Sequence, residues 1–139
     1  MTTPIVLTVE AIVNAPIDKV WTYWTQAEHI IKWNYAVDDW HCPTAENDLS
    51  VGGKLTATMA AKDGSFSFEF WGTYDVIETE KELQMTLGDG RKWKVYFSKV
   101  DDATKVVENF EAETTNPVEM QQQGWQMILN NFKTYTETN

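Results

Sequence analysis

Residues 116–137 read NPVEMQQQGWQMILNNFKTYTE, and this stretch decides the fold class. Asn116 is a favoured helix N-cap, Pro117 suits the first helical position, and Glu119 completes a pattern like a capping box. Nothing in the sequence breaks a helix before about Glu137. The stretch therefore predicts one helix that is roughly 30 Å long, at about 1.5 Å per residue.

One face of this helix is apolar and aromatic. The residues on it recur every three or four positions: Gln121, Gly124, Trp125, Ile128, Phe132 and Tyr135, with Leu129 beside them. That spacing is typical of a helix with one buried face. A single long helix cannot bury such a face by itself, so the rest of the chain must supply a surface that covers it.

The chain between Lys54 and the helix alternates between apolar and polar residues, which predicts a run of antiparallel strands. The inward positions are Leu55, Ala57, Met59, Ala61, Phe66, Phe68, Phe70, Tyr74, Val76, Leu83, Met85, Leu87, Trp93, Val95, Phe97, Val106, Glu108, Phe110 and Ala112. Turns are predicted at Asp63-Gly64, Gly88-Asp89-Gly90 and Asp101-Asp102. Gly72 interrupts the second strand, and a glycine inside a strand predicts a bulge or a sharp bend.

The N-terminal part predicts a strand followed by two short helices. Residues 5–14 alternate, and one face carries Ile5, Leu7, Val9, Ala11 and Val13. Pro16 opens a helix whose buried face is Ile17, Val20, Trp21 and Trp24. Thr25 and Glu28 form a capping box for a second helix that runs to about Trp33.

These elements predict one α+β domain over residues 1–139. Residues 34–53 form a long loop with a short strand near its end, between the two short helices and the run of strands. A curved antiparallel sheet wrapped around the long C-terminal helix satisfies this order. We expect a cavity where helix and sheet diverge, near Met120 and Gly124.

Composition and charge exclude several classes of function. The 139 residues carry 21 acidic and 11 basic side chains, for a net charge of −10, and the lysines are scattered. Such a surface repels nucleic acid and anionic lipid heads, so we expect neither as a partner. No apolar run approaches the ~20 residues of a membrane span, so we expect no membrane insertion. The start, Met1-Thr2-Thr3-Pro4, lacks the features of a signal peptide, and Cys42 has no partner for an internal disulfide, so we expect a cytoplasmic protein.

Seven tryptophans in a small domain are the unusual feature of the composition. They are Trp21, Trp24, Trp33, Trp40, Trp71, Trp93 and Trp125. Indole rings are large, and their N–H groups need partners when they are buried. The set predicts either a bulky core or the wall of a pocket, and the sequence leaves both open.

A few polar residues could carry chemistry. His41 and Cys42 are adjacent, a spacing that does not favour one tetrahedral zinc, so we expect no metal. No glycine-rich nucleotide motif is present in the sequence, and we expect no cofactor. Cys42 as a nucleophile would need a base within hydrogen-bond reach, and the adjacent His41 is not the usual arrangement. His41 with Asp38 or Asp39 is the best acid–base pair for an enzyme. Glu108 shares the inward parity of its strand, and a buried carboxylate is costly unless it is paired. It is therefore either a residue of the cavity rim, which we favour, or a polar feature of the pocket.

Several short motifs, taken in order, resemble a known family. They are Ala15-Pro16-x-x-x-Val20-Trp21-x-x-Trp24-Thr25, Trp33, Val51-Gly52-Gly53-Lys54, Gly72-Thr73-Tyr74 and Gly124-Trp125-x-x-x-Leu129-x-x-Phe132. The set is similar to the bacterial relatives of the activator of Hsp90 ATPase, in the START and Bet v 1 superfamily, and it covers nearly the whole chain. The resemblance implies a helix-grip fold with a hydrophobic pocket. Relatives include lipid carriers, polyketide cyclases, a resistance protein that sequesters an antibiotic, and a chaperone activator domain.

Three functions follow as hypotheses. The first is binding of a small hydrophobic or aromatic molecule in the cavity, through Trp24, Trp33, Trp40, His41, Met59, Phe68, Phe70, Met120, Gly124 and Ile128. The second is an enzyme of the polyketide cyclase or hydrolase type that acts on such a ligand. The third is a protein-interaction module, with a chaperone or a second copy of the chain in a homodimer as the partner. The activator itself carries an additional N-terminal domain for Hsp90 that this sequence lacks, so the chaperone partner is the weakest of these expectations.

Overall fold

The computed structural model describes residues 4–139. The opening residues Met1-Thr2-Thr3, where we expect no signal peptide, lie outside the described residues. The elements in chain order are β1 (Val6–Val13), α1 (Ile17–Thr25), α2 (Ala27–Trp33), β2 (Trp40–His41), β3 (Ala45–Asn47), β4 (Lys54–Ala61), β5 (Ser67–Glu78), β6 (Glu82–Leu87), β7 (Lys92–Val100), β8 (Ala103–Glu111) and α3 (Val118–Thr138). The predicted α+β class and the predicted order of the main elements are confirmed, but residues 34–53 carry two short strands, β2 and β3, where one was predicted.

The strands form one antiparallel sheet that curls around α3. The strand order is β1-β8-β7-β6-β5-β4-β2, and β3 also pairs with β4. The strands from β4 to β8 follow one another as hairpins, while β1 crosses over to pair with β8. Val9 of β1 and Val95 of β7 both pair with Glu108 of β8, which places Glu108 at the middle of three aligned strands.

The core lies between the inner face of the sheet and α3. Along β8 the residues Val106, Glu108 and Phe110 are buried, and the residues between them are partly exposed. Leu129 and Phe132 of α3 are completely buried against this face. The alternation predicted for the strands therefore identifies the buried face of the sheet.

The two short helices close one end of the sheet. Val20, Trp21 and Trp24 of α1 are buried, as the helical spacing predicts. The predicted capping box of Thr25 and Glu28 is wrong, because the N-cap residue of α2 is Gln26 and no side chain among the described residues caps this helix. Thr25 is instead the buried last residue of α1, and its hydroxyl donates to the Trp21 carbonyl over 2.7 Å.

α3 begins at Val118, one residue later than predicted, and its N-cap residue is Pro117. The predicted Asn116 cap is wrong, because no side chain from residue 4 onward caps this helix. The loop before the helix is instead organised by the Glu113 carboxylate. It accepts the backbone N–H of Thr115 over 3.0 Å and that of Asn116 over 2.8 Å.

α3 also satisfies the free edge of β1. Its side chains donate to backbone carbonyls of that strand: Gln122 to Thr8 (3.1 Å), Gln126 to Glu10 (3.1 Å) and Lys133 to Ile12 (2.7 Å). An edge strand with unpaired carbonyls would otherwise invite pairing with another chain.

Within residues 4–139, no helix is both long enough and apolar enough to cross a membrane.

Gly72 does not form the predicted bulge. The pairing of β5 with β6 is continuous through Gly72, and the register shifts at Asp75. Because the extra residue reverses the alternation, Ile77 packs against the core in place of the predicted Val76. Gly72 is needed for a close approach, since a Cβ there would lie 3.0 Å from the Thr86 carbonyl oxygen of β6.

Candidate functional site

A cavity of about 290 Å³ lies between the sheet and α3. Its lining comes from the short helices, the sheet, the loops and α3, and comprises Trp24, Ile30, Trp33, Asn34, Leu55, Met59, Phe68, Phe70, Tyr74, Met85, Arg91, Trp93, Glu108, Glu113, Asn116, Gln121, Trp125 and Ile128. The middle of this lining is apolar and aromatic, and polar residues gather where the loop before α3 meets the turn before β7. A concave apolar site with a few polar groups is the usual form of a small-molecule site.

Three aromatic rings form one wall of the cavity. Phe70, Trp93 and Trp125 meet edge to face, with ring centroids 5.4 Å to 6.1 Å apart. Trp125 also stacks on the buried ring of Phe110 at 3.9 Å, with only 9° between the ring planes. Each ring is thus held by at least two others, in the geometries that aromatic pairs prefer. These contacts hold the wall in place.

A second aromatic group closes the end of the cavity near α1 and α2. Trp24 stacks on Trp33 with centroids 5.0 Å apart, and Phe132 of α3 meets both rings edge-on at 4.8 Å and 4.9 Å. The Trp33 indole N–H donates to the Tyr23 carbonyl over 3.0 Å, so this buried indole has its polar partner. Trp24 and Trp33 line the cavity, whereas Phe132 does not line it and packs against both rings.

Glu108 is the one carboxyl in the apolar middle of the cavity lining. Its side chain lies within the core at 3% exposure, and its Oε1 accepts the Trp93 indole N–H over 3.0 Å. Burial raises the pKa of Glu108 to about 8, so the group is mainly protonated at neutral pH. Its predicted place at the rim is therefore wrong. A protonated carboxyl with a hydrogen-bond partner avoids most of the cost that disfavours a buried carboxylate.

Tyr74 joins the cavity wall to the first helix. Its hydroxyl donates to the Asn47 side-chain oxygen over 2.7 Å, and the Asn47 amide donates to the Thr25 carbonyl over 2.6 Å. Burial raises the pKa of Tyr74 to about 12, so it remains a neutral phenol. This chain of hydrogen bonds ties β5, β3 and α1 together, which is a structural role.

The loop end of the cavity is polar and internally satisfied. The Gln121 amide accepts the Glu113 backbone N–H over 2.8 Å and donates to the carbonyls of Glu113 (3.0 Å) and Asn116 (2.8 Å). Arg91 is directed toward Asp89, with 2.7 Å between its Nε and the carboxylate. These contacts fix the loop against α3 and leave few free donors at this end.

Six of the ten predicted ligand-binding residues line the cavity, namely Trp24, Trp33, Met59, Phe68, Phe70 and Ile128. Met120 and Gly124 do not line it, because the inward face of α3 runs through Gln121, Trp125 and Ile128. Met120 is 59% exposed. Contact of the six with a ligand stays a prediction.

Trp40 and His41 also lie away from the cavity lining. They form the short strand β2, which pairs with the last residues of β4. The Trp40 ring packs against Phe66 and Phe68, with centroids 6.0 Å and 6.1 Å away. Phe66 precedes β5 and is exposed, so these rings form an outer aromatic group at the rim of the sheet.

The residues considered for catalysis are not brought together at the cavity. His41, Asp38 and Asp39 are not among its lining residues. Cys42 is buried, its thiol donates to the Thr44 carbonyl over 3.4 Å, and burial raises its pKa, which disfavours a reactive thiolate. In the part of the chain from residue 4 onward, no group of three His, Cys, Asp or Glu side chains could hold a metal ion.

Sequence reasoning missed the polar lining residues of the loop end. Arg91, Glu113 and Asn116 lie in turns, where no periodic pattern assigns a direction to a side chain. Gln121 did carry a signal, because it is the one amide on an otherwise apolar or small helical stripe. Trp93 had the inward parity of its strand, but parity alone does not separate cavity wall from filled core.

The chain is similar to proteins of one described family. The family model described as activator of Hsp90 ATPase homolog 1-like protein matches residues 14–137. The solution structure of an AHSA1-like protein from Aeromonas hydrophila is 41% identical, with a TM-score of 0.90 over 96% of this chain and 93% of that chain. The solution structure of a protein from Cytophaga hutchinsonii is 55% identical, with a TM-score of 0.81 over 95% of this chain and 92% of that chain.

A crystal structure from Nitrosomonas europaea is only 16% identical, yet its TM-score is 0.83 over 99% of this chain and 97% of that chain, so it shares the fold. No curated protein matches the chain.

Proposed function

The chain belongs to the family of activator of Hsp90 ATPase homolog 1-like proteins, and from this premise we propose that its cavity binds a small hydrophobic, aromatic molecule. The observation that carries the proposal is the volume of about 290 Å³ beneath α3, which the surrounding rings line without filling. START-type folds of this kind commonly bind hydrophobic ligands in the corresponding place.

The size of the cavity sets the size of the ligand. An apolar protein cavity of about 150 Å³ accommodates benzene. The present cavity of about 290 Å³ is roughly twice as large and suits a molecule with two rings. Burial of about 200 Å² of ring surface contributes ~5 kcal/mol before association costs. Because association costs reduce this gain, we expect millimolar or weaker dissociation constants for simple ring compounds.

The fixed aromatic wall favours ligand binding over a purely structural role for its three rings. Phe70, Trp93 and Trp125 hold one another in place, so their faces do not have to be ordered when a ligand enters. A preformed site avoids the cost of immobilising side chains on binding. Apolar contact with rigid rings then contributes directly to affinity.

A titration with 2-ethylnaphthalene, followed through the indole N–H signals in ¹⁵N–¹H NMR spectra, tests the proposal. Trp24, Trp33, Trp93 and Trp125 line the cavity, and we expect their signals to shift saturably and with one common dissociation constant. Trp71 is the internal control, because its ring is 38% exposed and does not line the cavity. Its signal should stay in place.

A matched pair of variants on α3 tests whether the ligand binds in the cavity. Ile128→Phe adds ring volume to the cavity lining and should weaken binding about tenfold or more. Met120→Phe adds the same ring on the exposed surface of the same helix and should leave the affinity unchanged. Absence of saturable shifts in every lining indole, or equal affinities of the two variants, would contradict the proposal.

A further inference from the structure

We propose that the cavity takes a neutral aromatic molecule with one hydrogen-bond-accepting oxygen, such as a ketone, aldehyde or ester carbonyl, and that the Glu108 carboxyl donates a hydrogen bond to that oxygen. The inference rests on the proposed function and names the ligand class of the same cavity. It starts from the position of Glu108 in a lining that is otherwise aromatic and aliphatic around it.

The Glu108 carboxyl has one oxygen engaged and the other free. The strand pairing with Val9 and Val95 fixes its backbone, and its Oε1 accepts the Trp93 indole N–H over 3.0 Å. No residue from 4 to 139 hydrogen-bonds its Oε2. Among those residues, the one buried side-chain oxygen or nitrogen that is sealed off without a partner is Thr136 Oγ1. Oε2 therefore opens on the cavity, within reach of a ligand atom.

The carboxyl offers a donor, because it is mainly protonated at neutral pH. Burial raises its pKa to about 8. The other titratable or charged groups on the lining are Arg91, Glu113 and Tyr74, while α1, α2 and α3 contribute none. Backbone N–H groups hold the pKa of Glu113 below its usual range, burial raises the pKa of Tyr74 to about 12, and an arginine keeps its charge. Among the lining groups, Glu108 alone changes charge between pH 6 and 9.

The charges around the cavity disfavour ionic ligands. A ligand carboxylate would face Glu113 at the loop end and would approach a protein of net charge −10. A ligand ammonium would have to ionise Glu108 among aromatic rings and would share the cavity with Arg91. Arg91 is already directed to the Asp89 carboxylate. A neutral oxygen acceptor requires no buried charge, and it gives the free O–H of Glu108 a partner.

Three probes of nearly the same shape separate these ligand classes: 2-acetylnaphthalene, 2-ethylnaphthalene and 1-(2-naphthyl)ethylamine. Their affinities for the full chain are measured by calorimetry from pH 6 to pH 9. The affinity of the ketone should fall about tenfold between pH 7 and pH 9, in proportion to the protonated fraction of Glu108. The affinity of the hydrocarbon should not change over this range.

Two substitutions assign the effect to Glu108. In Glu108→Gln the amide N–H₂ still donates but does not titrate, so the fall in ketone affinity above pH 7 should disappear. In Glu108→Leu no donor remains, and the ratio of ketone affinity to hydrocarbon affinity should drop about fivefold or more at pH 7. Because the glutamine variant keeps an acceptor for the Trp93 indole, it remains informative even where the leucine variant fails to fold.

The outcomes distinguish the ligand class from the binding function. Identical pH profiles for ketone and hydrocarbon, or an unchanged affinity ratio in the leucine variant, would overturn the carbonyl class and leave hydrophobic binding in place. Tighter binding of the amine, with an affinity that rises toward pH 8, would overturn it in favour of a cation. Failure of all three probes to bind the unaltered protein would overturn the proposed function and this inference with it.

Discussion

Replacement of Glu108 by glutamine should stabilise the folded protein, and the gain should grow with pH. The two side chains have the same shape, and the glutamine oxygen can accept the Trp93 indole N–H as the glutamate oxygen does. The difference is that glutamate must keep a proton to remain neutral in the core, where it is only 3% exposed. Glutamine is neutral at every pH, so the substitution isolates the cost of keeping that proton.

The proton on Glu108 sets both the sign and the size of the effect. Between its ordinary pKa of 4.5 and its folded pKa of about 8, the folded chain holds a proton that the unfolded chain releases. The free energy of unfolding therefore falls as pH rises through this window, by ~1.4 kcal/mol per pH unit from this one group. From pH 4.5 to pH 7 the unaltered protein loses up to about 3 kcal/mol that the glutamine variant keeps.

Urea unfolding at pH 5, 6, 7 and 8, followed by tryptophan fluorescence, measures this difference. The glutamine variant should exceed the unaltered protein by less than about 1 kcal/mol at pH 5 and by up to about 3 kcal/mol at pH 7. Glu69→Gln is the matched control, because Glu69 is an exposed strand residue of β5 and its variant should parallel the unaltered protein. Parallel curves for Glu108→Gln as well would refute a buried neutral carboxyl.

Other substitutions test the packing that surrounds the cavity. Thr104→Val should cost about 1–3 kcal/mol, because the buried Thr104 hydroxyl donates to the Ala15 carbonyl over 2.9 Å. Thr136→Val should be neutral or stabilise by up to about 1 kcal/mol, because the buried Thr136 hydroxyl has no hydrogen-bond partner among residues 4–139. Equal urea midpoints for the two variants would contradict this difference. Phe132→Ala removes a completely buried ring that contacts two indoles, and it should lower the free energy of unfolding by about 3–5 kcal/mol in the same assay. A loss below ~1 kcal/mol would show that the ring is not packed against Trp24 and Trp33. Gly72→Ala places a methyl group 3.0 Å from a carbonyl oxygen of β6 and should lower stability by about 1–3 kcal/mol, so a melting temperature equal to that of the unaltered protein would argue against the close approach.

The sequence predicts the large elements of this fold because burial dominates them. Residues such as Leu83, Met85 and Val95 alternate with polar neighbours, and one side of each strand can be buried only in that phase. The local details were predicted less well, because short hydrogen-bonding side chains have several partners at similar cost. The Thr25 hydroxyl donates to a carbonyl of its own helix α1 and does not cap α2. The bulge of β5 lies at Asp75 and not at Gly72.

The candidate site is harder to predict from the sequence. The periodicity of a helix or strand shows which way a side chain points, but it does not show which residues of other elements lie beside that side chain. Trp21 and Trp24 share one face of α1, yet only Trp24 reaches the cavity while Trp21 packs on Phe97 in the core. The alternation of residues along β8 correctly predicts that Glu108 points inward. It does not predict the hydrogen-bond partner of Glu108, because Trp93 lies on the adjacent strand. Only the register of β7 with β8 brings the Trp93 N–H to the carboxyl, and that register has no signature in either segment alone.

α3 is held against the rest of the fold on both sides of the cavity. At its start, the Gln121 amide is hydrogen-bonded to the loop that precedes the helix. Farther along, Leu129 and Phe132 are completely buried against the sheet and the tryptophans of the short helices. Between these two anchors, Trp125 stacks on Phe110 and cannot swing into the empty volume without losing that contact. The helix is therefore held against the sheet on either side of the cavity that Glu108 lines. The ligand proposed above would gain apolar contacts there without first having to separate helix from sheet.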